Sequence, residues 1–168
     1  LRAFRKLLSL DAPPGESLED WLRIALSLPV DPTVILVETL ADRPERLCRA
    51  TNIALSQGAD PLSAEMAFLI ALESDPSCAS TYAWRLHKWN RHEEALIVLA
   101  DAPETCPTLL VRGRVHRHLG KFDEALMTLE RAMEKCTTHQ DELQFLLGDV
   151  RLRTGDLRGV AMLDALLL

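Results

Sequence analysis

The sequence predicts an all-α protein built as a stack of antiparallel helical hairpins, and three observations carry that prediction. Hydrophobic residues make up 48% of the chain but aromatics only 5%, with 7 glycines. A composition so rich in Leu and Ala favours helices over sheet. From Pro44 onward, helices of about a dozen residues alternate with short breaks at "QGADP", "SDPS", "KWNRH", "APETCP", "HLGKF", "KCTTHQ" and "RTGDL", the rhythm of a hairpin array. Two superpositions then expose a repeat. Gly113 and Gly120 recur 35 residues on as Gly148 and Gly155, and "HEEAL" at 92–96 matches "FDEAL" at 122–126 at a spacing of 30.

The elements follow in order. "LRAFRKLLSL" sets Leu1, Phe4, Leu7 and Leu8 on one face, as a short amphipathic helix does. "DAPPGES" breaks the chain. Ser17, with Asp20 three residues on, begins a capped helix through Trp21, Leu22, Ile24 and Leu26. A further apolar helix runs from Thr33 to about Ala41, ahead of Pro44. Residues 1–44 thus read as N-terminal helices, a cap or a degenerate repeat, and 45–168 as the array.

At 168 residues the chain fits one domain, and a fold of that size buries roughly 70% of its unfolded surface without metals or bridges. Formal net charge is -6, a poor balance for nucleic-acid binding. The longest apolar runs, "PTVILV" and "DALLL", fall far short of the ~20 residues of a membrane span. The chain opens on Leu1 without a charged-then-apolar leader and ends in Leu166, Leu167 and Leu168, so we expect a piece of a longer protein.

The repeat resembles the tetratricopeptide (TPR) family. Residues 106–139 carry the nearest match, with Gly113, Gly120, Phe122, Ala125, Leu129 and Ala132 where that family places small and bulky packing residues. Residues 45–78 are similar through Ala64, Phe68 and "ALESDP", and the hairpins at 76–103 and 141–168 match more loosely. Arg112 and His116 stand where the family packs apolar residues, and Val160 and Asp164 replace the expected Ala and bulky residue. The resemblance implies a right-handed superhelical stack, a TPR-like α-solenoid, with the first helix of each hairpin lining a concave face.

One helix permits an independent check. Over residues 77–89 a 100° step groups Tyr82, Leu86 and Trp89 as a packing face, and Ser77, Ser80, Trp84, His87 and Lys88 opposite. The TPR register assigns those five to the concave face too. It adds Arg46, Arg49 and Ile53 from the first hairpin, then Leu110, Arg114, Arg117 and His118, and last Glu142, Phe145, Asp149, Leu152 and Arg153. The expected groove is mostly basic, while second helices carry acids such as Glu65, Glu93, Glu94, Asp123 and Glu124. An acidic ligand would be drawn to it. The alternative is a set of solvated helix faces with Arg present for helix propensity, and for Trp84 a packed ring.

Catalytic patterns are missing: no glycine-rich phosphate loop, no GxSxG, no HExxH. His116 and His118, two apart, face different ways and do not make a metal pair. Cys48, Cys78, Cys106 and Cys136 are spaced 30, 28 and 30 apart with no CxxC or CxxH pair. They read as structural or incidental thiols in a reducing cytoplasm. The expectation is therefore a cytoplasmic, non-catalytic protein-interaction module without metal or cofactor. Its partner would be an acidic or extended peptide, bound by Arg49, Trp84, His87, Lys88, Arg114, Arg117, His118, Phe145 and Arg153. Two alternatives stand beside it: a positioning or regulatory domain of a larger enzyme, such as a glycosyltransferase, or a scaffold that self-associates through the apolar "GVAMLDALLL" end.

Overall fold

The computed structural model describes residues 31–167, which form nine α-helices and one 3₁₀ turn. The two helices expected before Pro32 lie outside the described residues. Helix starts follow from local chemistry. Asp31 caps α1 (Pro32–Leu40), its carboxylate accepting from Thr33 N at 2.9 Å. Asp60 caps α3 (Pro61–Ser74) through Ser63 N at 2.8 Å, and Asp75 caps the 3₁₀ turn Pro76–Cys78 through Ser77 N at 2.9 Å. Proline opens α1, α2 (Pro44–Ser56) and α3, at positions where a helix leaves its N–H unbonded.

The chain divides into two compact units, one ending at Tyr82 and the other starting at Ala83. In the first, α1 packs on both α2 and α3. Ile35, Leu36, Leu47, Ala50, Ala54, Ala64, Ala67, Phe68 and Ala71 are fully buried there. Small residues let the helices approach, and Phe68 fills the remaining space. Its ring stacks on Tyr82 at 5.3 Å between centroids, and the Tyr82 hydroxyl donates to Glu65 at 2.7 Å.

The second unit holds most of α4 (Ala79–Lys88), then α5 (His92–Leu99), α6 (Cys106–His118), α7 (Phe122–Lys135), α8 (Gln140–Arg153) and α9 (Arg158–Asp164). Its core joins Leu109 and Leu110 to Ala125, Leu129 and Ala132, and these to Leu143, Leu146, Leu147 and Val150. The glycines of the repeat have separate tasks. Gly120 and Gly155 turn the chain at φ +71° and +81°. Gly113 and Gly148 mark close approaches: a Cβ on Gly113 would lie 2.5 Å from Leu129 Cδ2, and one on Gly148 would lie 2.8 Å from the Leu163 side chain.

The final hairpin shifts its register by one residue. The 35-residue offset expects Val160 and Asp164 inside, yet both are exposed, and Gly159 and Leu163 pack on Gly148 instead. The spacing from turn glycine to packing residue is one shorter in this hairpin, Gly159 being the fourth residue past Gly155 and Ala125 the fifth past Gly120, although the helix itself starts one residue later, at Arg158 rather than at the Phe122 position. Arg112 and His116 are accommodated as well. The Arg112 guanidinium donates to the Leu99 carbonyl and lies 3.9 Å from Glu104, tying α5 to α6. His116 is half-buried; burial lowers its pKa, Glu124 opposes, and Lys121 and Arg112 add to the depression.

The cysteines are not free thiols. Cys48 is bonded to Cys78 and Cys106 to Cys136, with Cα atoms 5.9 and 5.2 Å apart, inside the span a disulfide bridges. A hairpin runs out and back, so residues 30 apart across it return to the same end. The spacing that argues against one four-cysteine site fits two pairs. Among the described residues no cysteine is free, and no helix is long and apolar enough to cross a membrane.

Candidate functional site

The site-forming side chains of the second unit come from four helices. The last two turns of α4 supply Trp84, His87 and Lys88; the first residue of α5 supplies His92; the end of α6 supplies Arg114, Arg117 and His118; α8 supplies Glu142, Asp149 and Arg153. Of the packing face the 100° step predicts on α4, Tyr82 and Leu86 are buried, while Trp89, one residue past the helix end, is half-buried; Trp84 and Lys88 are left outward.

The Trp84 ring is half-buried and carries two cations, Lys88 Nζ and Arg114 Cζ, each 4.7 Å from its centroid. Its π-face is thus the support of a positive surface. His87 lies beside it, ring centroids 5.3 Å apart. His87 in turn meets His92 and His118 at 4.9 and 4.7 Å, and His92 meets His118 at 5.1 Å. The His87 and His92 Nδ1 atoms are 3.2 Å apart, so one hydrogen bond joins them whichever ring carries the proton. Among the described residues no group of three or more His, Cys, Asp or Glu could hold a metal ion.

The arginines are tied to acids one helix pair away. Arg114 pairs with Glu142; Arg117 Nε donates to Asp149 Oδ2 at 2.6 Å, and Arg153 Nε donates to the same oxygen at 3.0 Å. Burial works against ionisation of Asp149, but the hydrogen bonds from Arg153 and Arg117 hold its carboxyl below the usual range. Burial lowers the His87 pKa to about 4, with His118, His92, Arg114 and Lys88 each pushing the same way. His118 is also lowered, by burial and then by Arg117, His92, Arg153 and Arg114.

Of the residues proposed from sequence, Trp84, His87, Lys88, Arg114 and His118 form one cluster, and Arg117 and Arg153 adjoin it through Asp149. Phe145 is 50% exposed on α8, on the same helix side as Glu142 and Asp149 by three- and four-residue spacing. Arg49 belongs to the first unit, exposed at a shallow pocket of about 180 Å³ with Glu45, Asn52, Ser77 and Thr81. His92 is the addition. Asn90, at φ +62°, folds the chain so that the first residue of α5 returns over His87.

No protein-family model matches the chain, and no curated protein sequence does. Its likeness is to solved structures. "MamA 41-end from Desulfovibrio magneticus RS-1" superposes with a TM-score of 0.64 at 16% identity, over 90% of this chain and 94% of that one. "MamA RS-1 ArsTM double mutant" matches with the same values. MamA is TPR-like. The fold is a TPR-like helical repeat. At this identity the likeness concerns the backbone alone, so the function rests on this chain's own side chains.

Proposed function

We propose that the chain is a non-catalytic protein-interaction module that binds an acidic, extended peptide across the second unit. Lys88, Arg114, Arg117 and Arg153 would pair with ligand carboxylates, with Trp84 and Phe145 as apolar contacts and His87 and His118 between them. One observation carries this reading: four cations and three imidazoles converge on one surface, whose carboxylates Glu142 and Asp149 are each already paired with Arg. Arg49 would add a separate basic contact on the first unit. α1 packs into the first unit's core, which supports residues 1–44 acting as a cap on the array.

The cysteines support a reading of the compartment. Free thiols would suit the cytoplasm expected from sequence, whereas two bridges persist in an oxidising compartment. We place the working chain there. A second reading, self-association through the apolar C-terminal end, draws on the exposure of Val160 (44%) and Leu167 (85%). Light scattering decides it, a strictly monomeric chain ruling it out.

The test of the peptide reading is anisotropy of a rhodamine-labelled deca-aspartate at about pH 7.5 and low salt. Lys88→Glu is the variant of choice because Lys88 lies over Trp84 and is exposed. Reversing Arg114 or Arg117 would also set two acids against each other. Lys88→Glu should weaken binding at least tenfold while Lys135→Glu, at the far end of α7, leaves it unchanged. Equal affinity in Lys88→Glu and the parent chain would refute the site.

A further inference from the structure

His87, His92 and His118 form one cluster of imidazoles, and its surroundings determine the direction of its effect. His87, His92 and His118 stand at the corners of a triangle with ring centroids 4.7 to 5.1 Å apart. They come from three different helices, so the fold rather than local sequence assembles them. Three protonated rings at this distance repel one another, and the lattice of charges around them adds to the repulsion.

Those charges can be named element by element. From α4, Lys88 acts on His87; from α6, Arg114 acts on both His87 and His118, and Arg117 on His118; from α8, Arg153 acts on His118. Every charged group that acts on His87 or His118 is basic. Of the acids of α8, Glu142 is directed to Arg114 and Asp149 to Arg117 and Arg153. On α5, Glu94 forms its ion pair with Arg91 at 2.5 Å. Burial and positive neighbours together keep His87 neutral until well below the usual imidazole range.

An arriving carboxylate reverses that balance. It supplies the counter-charge missing around His87 and His118, so protonation of either ring becomes more favourable in the complex than in the free chain. Linkage makes the effect mutual: a ligand that raises proton affinity is itself bound more tightly as protons are added. We propose that His87 and His118, packed with His92 at the corners of one triangle, make this surface an acid-strengthened site, which takes up protons as it binds an acidic peptide and holds it more tightly as the solution is acidified through the imidazole range. The inference rests on the acidic-peptide reading above and adds its regulation.

The size of the effect follows from His87. If a ligand carboxylate returns it from about 4 to the ordinary 6.5, affinity rises about thirtyfold between pH 7.5 and pH 5.0. Aspartate side chains, ordinarily near pKa 3.9, are raised in a run of ten by mutual repulsion, and any protonation of the probe near pH 5.0 weakens its binding, opposite in sign to the expected rise.

The experiment measures deca-aspartate binding at about pH 7.5, 6.5, 5.5 and 5.0, at constant ionic strength, on the oxidised chain. It compares the parent chain with His87→Gln/His92→Gln/His118→Gln and with His118→Gln alone, the last at an exposed position that folding tolerates. The expected result is an affinity rising at least tenfold toward pH 5.0 in the parent, less in His118→Gln and flat in the triple variant. Imidazole proton resonances should show His87 titrating near 4 alone and higher with the peptide present. Binding that is firm at pH 7.5 and unchanged by acid would overturn the proposal and leave the peptide reading standing. A rise that survives in both variants would overturn it too, by placing the protons elsewhere. Absence of binding at every pH would overturn both.

Discussion

The cysteine bridges allow the sharpest prediction. Each closes a loop with a sequence separation of 30, and the chain-entropy relation gives about 3.6 kcal/mol of stabilisation for a loop of that length. Replacing Cys106 and Cys136 by Ala removes one such constraint from the second unit. With about 2–4 °C of Tm per kcal/mol at this chain length, the double variant should melt roughly 7 to 14 °C below the parent by circular dichroism at 222 nm. A reducing agent should lower the parent's melting to the same degree or further, and should leave a variant lacking all four cysteines unmoved. Intact mass should show the parent four protons lighter than its reduced form, two for each bridge. Four titratable thiols in the denatured, unreduced chain, with no effect of the reductant, would refute the pairing and return the chain to the cytoplasmic expectation.

Two further predictions concern packing and pH. Gly159→Ala should destabilise more than Gly113→Ala: its Cβ would meet the Gly148 carbonyl oxygen at 2.5 Å, whereas that of Gly113 meets the movable Leu129 side chain. Costs of about 1–3 kcal/mol are expected, and urea midpoints showing the reverse order would contradict the register drawn for the last hairpin. Acid should also weaken the fold through His87. Its folded pKa is depressed below 6.5 to about 4, so the stability it contributes is present above pH 6.5 and is lost as pH falls from there toward 4. About 1 kcal/mol is expected, since the ring is half-exposed and screened. If His87→Gln loses as much stability as the parent between these values, the effect lies in other groups.

The fold is legible in the sequence because its punctuation is chemical. Asp-Pro pairs start helices, Gly120 and Gly155 turn the chain, and Gly113 and Gly148 admit large side chains from the facing helix. The one-residue shift in the final hairpin escapes because the breaks after Gly120 and Gly155 look alike while differing in length. The site is legible in part. Helical angle places Trp84, His87 and Lys88 together, and the repeat register brings Arg114 and His118 to them. The same register lists Glu142 and Asp149, but pairing is a matter of reach and rotamer, which periodicity does not encode. His92 depends on a left-handed Asn90, a conformation that glycine announces in sequence and asparagine does not. The bridges were hidden differently: a search for closely spaced cysteines finds metal sites, whereas a hairpin brings together cysteines that are a whole hairpin apart.

Those bridges also set how the chain would answer a pull on its ends. Thirty residues drawn straight add about 100 Å of length, and each bridge withholds that much for as long as its sulfur–sulfur bond lasts. Tension can pay out the stretches outside the loops, up to 47, 79–105 and 137 onward, but it stops at two covalent knots. Stretched by a single-molecule tether, the oxidised chain should fall short of its reduced length by about 200 Å; on a load-bearing assembly it would act as a strap with a fixed maximum reach.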